Sequence, residues 1–244
     1  MKYLLIISIA LMISINLYSQ PKFGIRAGLN LANISEDLGG TETIDIGGES
    51  IEVTIDQSNR TTFSIGGVVE FWLSPMFALQ VNALYNQKGT KLKGDFRATI
   101  VEQGLSIDVT GAVEETMKLD YLSFPVLGKL AFGQSKVKPY IIAGPEIGFL
   151  LSAKDKAKAT AEGEALGEKV GPITAEEEID LKESLETFEF ALDFGAGLII
   201  PLGSIDAFVD AQYSLGLTKL NKEGELSTKN KLIMITGGLL FSPK

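Results

Sequence analysis

Neither cysteine nor histidine occurs anywhere in the 244 residues. Without cysteine there is no disulfide, no thiol nucleophile and no site for a lipoprotein anchor. With both residues missing, zinc, haem and iron–sulfur ligation in their usual forms are excluded, and so are the Ser-His-Asp and Cys-His mechanisms. Basic charge is also in short supply: 22 Lys and Arg stand against 31 Asp and Glu, a formal net charge of -9. Such a chain repels phosphate backbones, so no nucleic-acid partner is expected. No GxGxxG or GxxxxGK[ST] string follows a strand and opens a helix, so phosphate-cradling cofactor chemistry has no support either. Hydrophobic residues nevertheless make up 45% of the chain, which is too many for a disordered protein.

A long apolar run, Tyr3 to Ile15, follows the basic start Met1-Lys2 and leads into Asn16-Leu17-Tyr18-Ser19-Gln20. It falls short of the roughly 20 residues of a membrane-spanning helix. It reads as a secretory signal peptide over residues 1–19, cleaved near Ser19/Gln20. The mature domain is then 20–244, and losing Lys2 leaves 21 of the 22 basic residues against 31 acidic ones.

From Gln20 onward the hydrophobic period is 2. Phe23, Ile25, Ala27, Leu29 and Leu31 alternate with Gly24, Arg26, Gly28 and Asn30. The same alternation covers 62–71 and 79–86, and further runs occupy 116–132, 139–151, 188–202, 206–218 and 230–241. Short Gly, Ser or Pro connections near 74–76, 133–138 and 203–205 alternate with long ones over 34–59, 90–115, 152–187 and 219–229. Within the first long connection, Gly47-Gly48 is placed to turn a hairpin from Thr43–Ile46 to Ile51–Val53. A weak helix is predicted over Asp180–Glu186. Eight runs joined in this way predict an all-β fold, an eight-stranded antiparallel up-and-down transmembrane β-barrel with long external loops. A soluble lipocalin-like barrel shares the period, but it would turn its bulky face inward. Here the bulky face, with Phe63, Phe71, Phe190, Phe194, Tyr213 and Phe241, suits lipid, and the Gly-rich polar face suits a narrow lumen.

Several strings add a resemblance. They include Phe23-Gly24-Ile25-Arg26-Ala27-Gly28-Leu29-Asn30, Leu84-Tyr85-Asn86-Gln87-Lys88-Gly89 and Leu119-Asp120-Tyr121-Leu122-Ser123-Phe124-Pro125-Val126-Leu127-Gly128-Lys129. Pro139-Tyr140-Ile141-Ile142-Ala143-Gly144-Pro145, Asp193-Phe194-Gly195-Ala196-Gly197 and Tyr213-Ser214-Leu215-Gly216-Leu217-Thr218 follow in order. Together the chain resembles the outer-membrane β-barrel domain proteins of the Bacteroidetes type, the PorT-like family. It departs from that pattern at Ser123, where an acid is common, at Gln212, where Arg is common, and in the Ser242-Pro243-Lys244 tail. The resemblance implies the barrel fold and an outer-membrane address but no particular activity; the expected function is a structural or interaction role, supporting a surface or secretion complex. The resemblance also implies that the aromatic ending of the last strand, Phe241, is read by the barrel-assembly machinery.

The residues themselves suggest further sites. Arg26, Glu70, Lys129, Asp193 and Asp210 fall on the polar face and are expected to fill part of the lumen as paired charges. Lys88 is expected to join them, and Pro125 and Pro145, each lacking a ladder donor, predict bulges. The first long connection carries Glu36, Asp37, Glu42, Asp45, Glu49, Glu52 and Asp56, and the third Glu176, Glu177, Glu178 and Asp180. Their spacing matches no calcium loop, so the expectation is no metal and no cofactor, with acidic loops open to protein partners. Glu146 with Asp193 is the one carboxylate pair worth weighing as acid and base, and salt bridging is the simpler role for it. The expected partners are thus outer-membrane lipid, the assembly machinery and proteins met through the loops, for a monomeric, non-catalytic barrel. The alternatives are a narrow channel or transporter, and a soluble exported lipocalin-like ligand-binding barrel.

Overall fold

A computed structural model describes residues 20–243 apart from 47–48, 103–104, 134–135, 166–167 and 223–227. The predicted signal segment 1–19 and the Gly47-Gly48 turn lie outside the described residues. The strands described are β1 (Lys22–Ile34), β2 (Gly40–Ile46), β3 (Glu49–Ser58), β4 (Arg60–Trp72), β5 (Phe77–Glu102) and β6 (Leu105–Ala131). β7 (Lys138–Ala165), β8 (Glu168–Asp180), β9 (Phe188–Pro201), β10 (Ile205–Gly216) and β11 (Asn230–Phe241) complete them.

Eight of these strands form a ring. β1, β4, β5, β6, β7, β9, β10 and β11 pair antiparallel in chain order, and β11 returns to β1 with Phe241 opposite Phe23. Closure leaves the ring without a free edge, so its backbone donors and acceptors are paired within the wall. The alternation of side chains follows from the pleat. On β1, Phe23, Ile25, Leu29 and Leu31 are exposed on the outside, whereas Arg26 and Asn30 are buried inside. The interior is cramped enough to require glycine: a Cβ on Gly197 would lie 2.6 Å from the ring of Tyr140, which crosses the lumen there. At one end the strands join through tight turns, as where the Ser74 hydroxyl accepts from the backbone N–H of Phe77 at 3.0 Å.

Three strands are much longer than a wall requires. β5, β6 and β7 run for 26, 27 and 28 residues, and crossing a bilayer takes only about 9 to 11. Their excess leaves the ring at the end opposite the tight turns. There β3 pairs with the far half of β5, from Ser58 opposite Lys91 to Ile51 opposite Ala98, while β2 pairs with β3 and β8 with β7. The result is a projecting sheet of order β2-β3-β5-β6-β7-β8. From Gly89 to the end of β5 it reaches about 45 Å along the strand. Much of the long connections at 34–59, 90–115 and 152–187 is therefore itself strand. The hairpin expected around Gly47-Gly48 is present as β2 and β3.

Two local expectations fail. Asp180–Glu186 is not a helix but a hydrogen-bonded turn, with the N–H groups of Ser184 and Leu185 donating to the Leu181 carbonyl at 3.0 and 3.2 Å. A segment this short cannot repay helix nucleation. Pro125 and Pro145 produce no bulge: Pro125 faces Glu146, and Pro145 faces Leu192, in unshifted register. The missing donor of Pro125 shows instead as a gap in the β5–β6 ladder between Val81/Val126 and Leu84/Ser123. Register shifts lie instead at Asp120/Tyr121, between β6 and β7, and at Ala161/Gly163, between β7 and β8.

Two apolar clusters close the lumen. At the tight-turn end Val68, Leu127, Tyr140, Ile142, Ile199, Phe208 and Leu240 pack together. At the far mouth Ile34, Leu119, Tyr121 and Leu150 meet Leu185 and Leu220 from the segments after β8 and β10, with Met117 and Leu181 against them.

Candidate functional site: the lumen and the projecting sheet

A column of charge runs through the lumen, beginning among the residues of the tight-turn cluster and reaching toward the far mouth. Lys129 pairs with Glu70, both fully enclosed, and its ammonium sits 4.5 Å from the centre of the Tyr140 ring. Next, Arg26 pairs with Asp210 at 3.1 Å and donates to Asn82 at 3.2 Å, while the Tyr140 hydroxyl donates to Asp210 at 2.6 Å. Nearer the far mouth, Lys88 bridges Glu146 and Glu189, each at 2.8 Å. Ser123 also donates to Glu146 at 3.0 Å, and Asn230 to Glu189 at 2.9 Å. Asp193 is equally buried, opposite Gly144 on one side and Ser214 on the other, and neither of its oxygens has a hydrogen-bond partner among the described residues.

The structure thus places Arg26, Glu70, Lys129, Asp193 and Asp210 inside the ring. Arg26 meets Asp210 and Lys129 meets Glu70, whereas Asp193 stands apart from both pairs. Glu189 was not singled out in the sequence, although the signal was there: it sits between Phe188 and Phe190, so a period of 2 that turns the rings outward turns Glu189 inward. Phe241 lies on the outer face at the tight-turn end, opposite both Phe23 and Ile205. Glu146 and Asp193 are enclosed between the apolar clusters, and the hydroxyls beside them, Ser123 and Ser214, are themselves buried.

On leaving the ring β5 and β6 keep their register, while β6 and β7 shift by one residue at Asp120/Tyr121, and the sheet exchanges its chemistry. In the wall, β5 turns Leu79, Val81 and Tyr85 outward and Gln80, Asn82, Asn86 and Lys88 inward. Through Lys88↔Leu119, Gly89↔Lys118 and Thr90↔Met117 no residue is skipped. Beyond that point the outward face carries Lys91, Lys93, Asp95 and Arg97, and the face continuous with the lumen carries Leu92, Phe96 and Ala98. β6 follows suit, with Thr110, Glu114 and Lys118 on the charged face and Val109, Val113 and Met117 on the apolar one.

The charged face neutralises itself. Lys91 pairs with Glu114 at 2.6 Å, Lys158 with Glu176 at 3.1 Å, and Glu178 with both Lys154 and Lys156. Hydrogen bonds from Lys154 and Lys156 hold the Glu178 carboxyl down at about 2. A cleft of about 640 Å³ opens on this face between Glu52, Asp95, Arg97, Thr110 and Glu162. On the apolar face the only charged groups among the described residues are acids. Glu115 is one of them, and burial together with the neighbouring Asp155 pushes its carboxyl above the usual range. Among the described residues no group of three or more acidic side chains is arranged to hold a metal ion.

A closed eight-strand ring with an apolar belt outside and a plugged polar interior is the architecture of a small membrane barrel. The profile of the outer membrane protein β-barrel domain matches residues 18–222. The chain belongs to that family. Members of the barrel family lie in the outer membrane, and the apolar belt of this barrel is its lipid-facing surface. Among solved structures, it is similar to Neisserial surface protein A, with 11% identity over 92% of this chain and 100% of that one and a TM-score of 0.38. Ail, the attachment invasion locus protein of Yersinia pestis, matches at 15% identity over 91% and 99%, with a TM-score of 0.33. The outer membrane protease OmpT from Escherichia coli matches at 8% identity over 94% and 99%, with a TM-score of 0.31. No curated protein matches the chain in sequence. Among the described residues no helix is long and apolar enough to cross a membrane; the barrel crosses with strands.

Proposed function

We propose that this barrel is a non-catalytic interaction protein of the outer membrane, in which the plugged ring is an anchor and the projecting sheet is the part offered to other proteins. The observation that carries this reading is the six-stranded sheet itself, three of whose strands are more than twice as long as the bilayer demands, standing on a lumen filled by side chains. The resemblance to PorT-like barrels of the Bacteroidetes type agrees with a supporting role in a surface or secretion complex. Among the described residues the interior charges are buried and paired and two apolar clusters pack in the lumen, which favours the anchor over the channel reading. The interior carboxylates have no solvent access and no activated nucleophile, which favours a non-enzymatic role. In this reading the chain is exported by residues 1–19, matures near Gln20 and is inserted through recognition of Phe241.

The deciding experiment compares the full chain with a variant whose β5–β6 hairpin is cut back to Gly89 and Lys118, both embedded in native membranes. Surface cross-linking followed by identification of attached chains should give partners for the first and lose them for the second. Equal cross-linking would defeat the interaction reading, and reproducible large conductance steps from the refolded full chain would favour the channel. Phe241→Ala should lower the amount of inserted barrel, and Phe241→Asp should lower it further. Wild-type amounts of both in the outer membrane would remove Phe241 from the assembly step.

A further inference from the structure

The apolar face of the projecting sheet is continuous with the lumen side of the wall, and the mouth cluster covers only its base, up to Met117. Above that cover, Val113, Ile55 and Ile173 stand exposed, Ile173 at 70% of its full surface. Val53, Leu92, Phe96 and Val113 line an apolar cleft of about 160 Å³, with Glu115 at its rim. Cross-strand registers put Glu42, Glu115, Asp155 and Glu177 on this same face, and no Lys or Arg shares it among the described residues. Glu115 and Asp155 are diagonal neighbours on β6 and β7, since Glu115 faces Ala157 and Met117 faces Asp155. One oxygen of Asp155 is buried without a hydrogen-bond partner among the described residues. Two carboxylates side by side in an apolar setting are costly unless they share a proton or a cation joins them. Four of the sheet's own lysines, Lys91, Lys154, Lys156 and Lys158, are engaged on the opposite face by Glu114, Glu176 and Glu178.

Resting on the interaction reading above, we propose that this face docks an apolar polypeptide segment carrying a Lys or Arg, with the cation seated between Glu115 and Asp155 and its apolar neighbours in the cleft lined by Val53, Leu92, Phe96 and Val113. Charge complementarity selects this occupant. A second copy of the chain would bring acid onto acid, and lipid acyl chains would leave both carboxylates unmatched. The geometry also divides the labour: the cleft supplies burial, and the acid pair sets the register and selects sequence.

The test uses the full chain in lipid nanodiscs and a synthetic peptide in which leucines flank a central lysine. Its controls are the same peptide with norleucine, or with glutamate, at the centre. The lysine peptide should bind at least tenfold more tightly than the norleucine peptide, and the glutamate peptide should not bind. Glu115→Gln with Asp155→Asn should remove that tenfold preference while leaving norleucine-peptide binding unchanged, which shows that the sheet is still folded. Val113→Asp should abolish binding of both. Equal affinity for the lysine and norleucine peptides would overturn the proposal, and so would a preference that survives the double substitution. A concentration-dependent dimer broken by Val113→Asp would overturn it in favour of a second copy. Acyl-chain contacts to Val113 in the nanodisc would overturn it in favour of lipid. If peptide binding fails while cross-linking still finds partners on the sheet, the interaction reading stands and only this assignment falls.

Discussion

Below Gly89, β5 shows leucine, valine and tyrosine to the outside and amides and lysine to the inside; above it, lysines and arginine face outward, and leucine and phenylalanine take the other side. The strand does not rotate between the two regions, because its pairing with β6 passes through Gly89 without a shift. What changes is the solvent on each face. In the wall the outer face meets hydrocarbon and the inner face meets a lumen so narrow that polar groups must pair with one another. In the projecting sheet the outer face meets water, and the other face is left with apolar side chains and unmatched acids. The inversion marks the membrane boundary within one strand. It also separates two kinds of ion pair, which are enclosed in the wall but wet in the sheet.

The sharpest way to break this comparison is to remove one charge from each region. Lys129→Met leaves Glu70 buried without its partner and should cost about 3 to 5 kcal/mol, read as a lower temperature for loss of the compact band in heat-modifiability gels. Lys158→Met, which frees exposed Glu176, should fall within about 0.5 kcal/mol of wild type. Comparable effects would mean that the lumen is wetter than the pairing of Lys129 with Glu70 implies. The next test moves a cation across the boundary on the outward face. Ile235→Arg, on the exposed belt of β11, should cost about 2 to 4 kcal/mol, whereas Thr110→Arg on the charged face should be nearly neutral. Chemical denaturation in lipid vesicles would rank them.

Smaller effects sharpen the contrast within the sheet. Glu115 is raised above its ordinary value, so the folded sheet holds its proton more tightly than the unfolded chain does. Its contribution therefore favours folding at low pH and is lost as pH rises from the usual carboxylate range through the raised value. Glu115→Gln should remove that loss, seen at neutral pH as slower hydrogen exchange in the neighbouring amides of β6 and β7. Glu178 behaves oppositely. Its depressed value of about 2 means a contribution present above the usual carboxylate range and lost only as pH falls toward that value. Because the group is fully exposed, the consequence for stability is slight, and a carboxyl resonance titration is the fitting measurement. A Glu178 midpoint in the ordinary range would show that the Lys154 and Lys156 contacts do not persist in solution.

The ring was legible because its period of 2 and its tight turns are local signals. Arg26, Glu70, Lys129, Asp193 and Asp210 could all be assigned to the polar face from alternation alone. Which charges meet was not legible, since Lys88 reaches Glu146 and Glu189 from 58 and 101 residues away, and only the curvature of the wall brings them together. The projecting sheet was hidden for a different reason. Glu162, Glu176 and the other acids there resemble solvated loop composition, and the alternation of Leu92 with Lys93, or Val113 with Glu114, carries the opposite polarity to the wall. The same rule of pairing operates in both regions, but a reader tuned to lipid outside and polar inside passes over its mirror image.

The seam between β1 and β11 sets an order on how the molecule can be made. Phe23 meets Phe241 only after nearly the whole chain has been emitted, whereas β5 and β6 zip together outward and inward from neighbours as close as Glu102 and Leu105. Contacts between near neighbours form early and those closing a long loop form late. The long hairpin can therefore exist as a separate unit while the wall is still an open sheet. The final event is a single seam, formed once, after which no strand of the wall can leave without tearing two ladders at the same time.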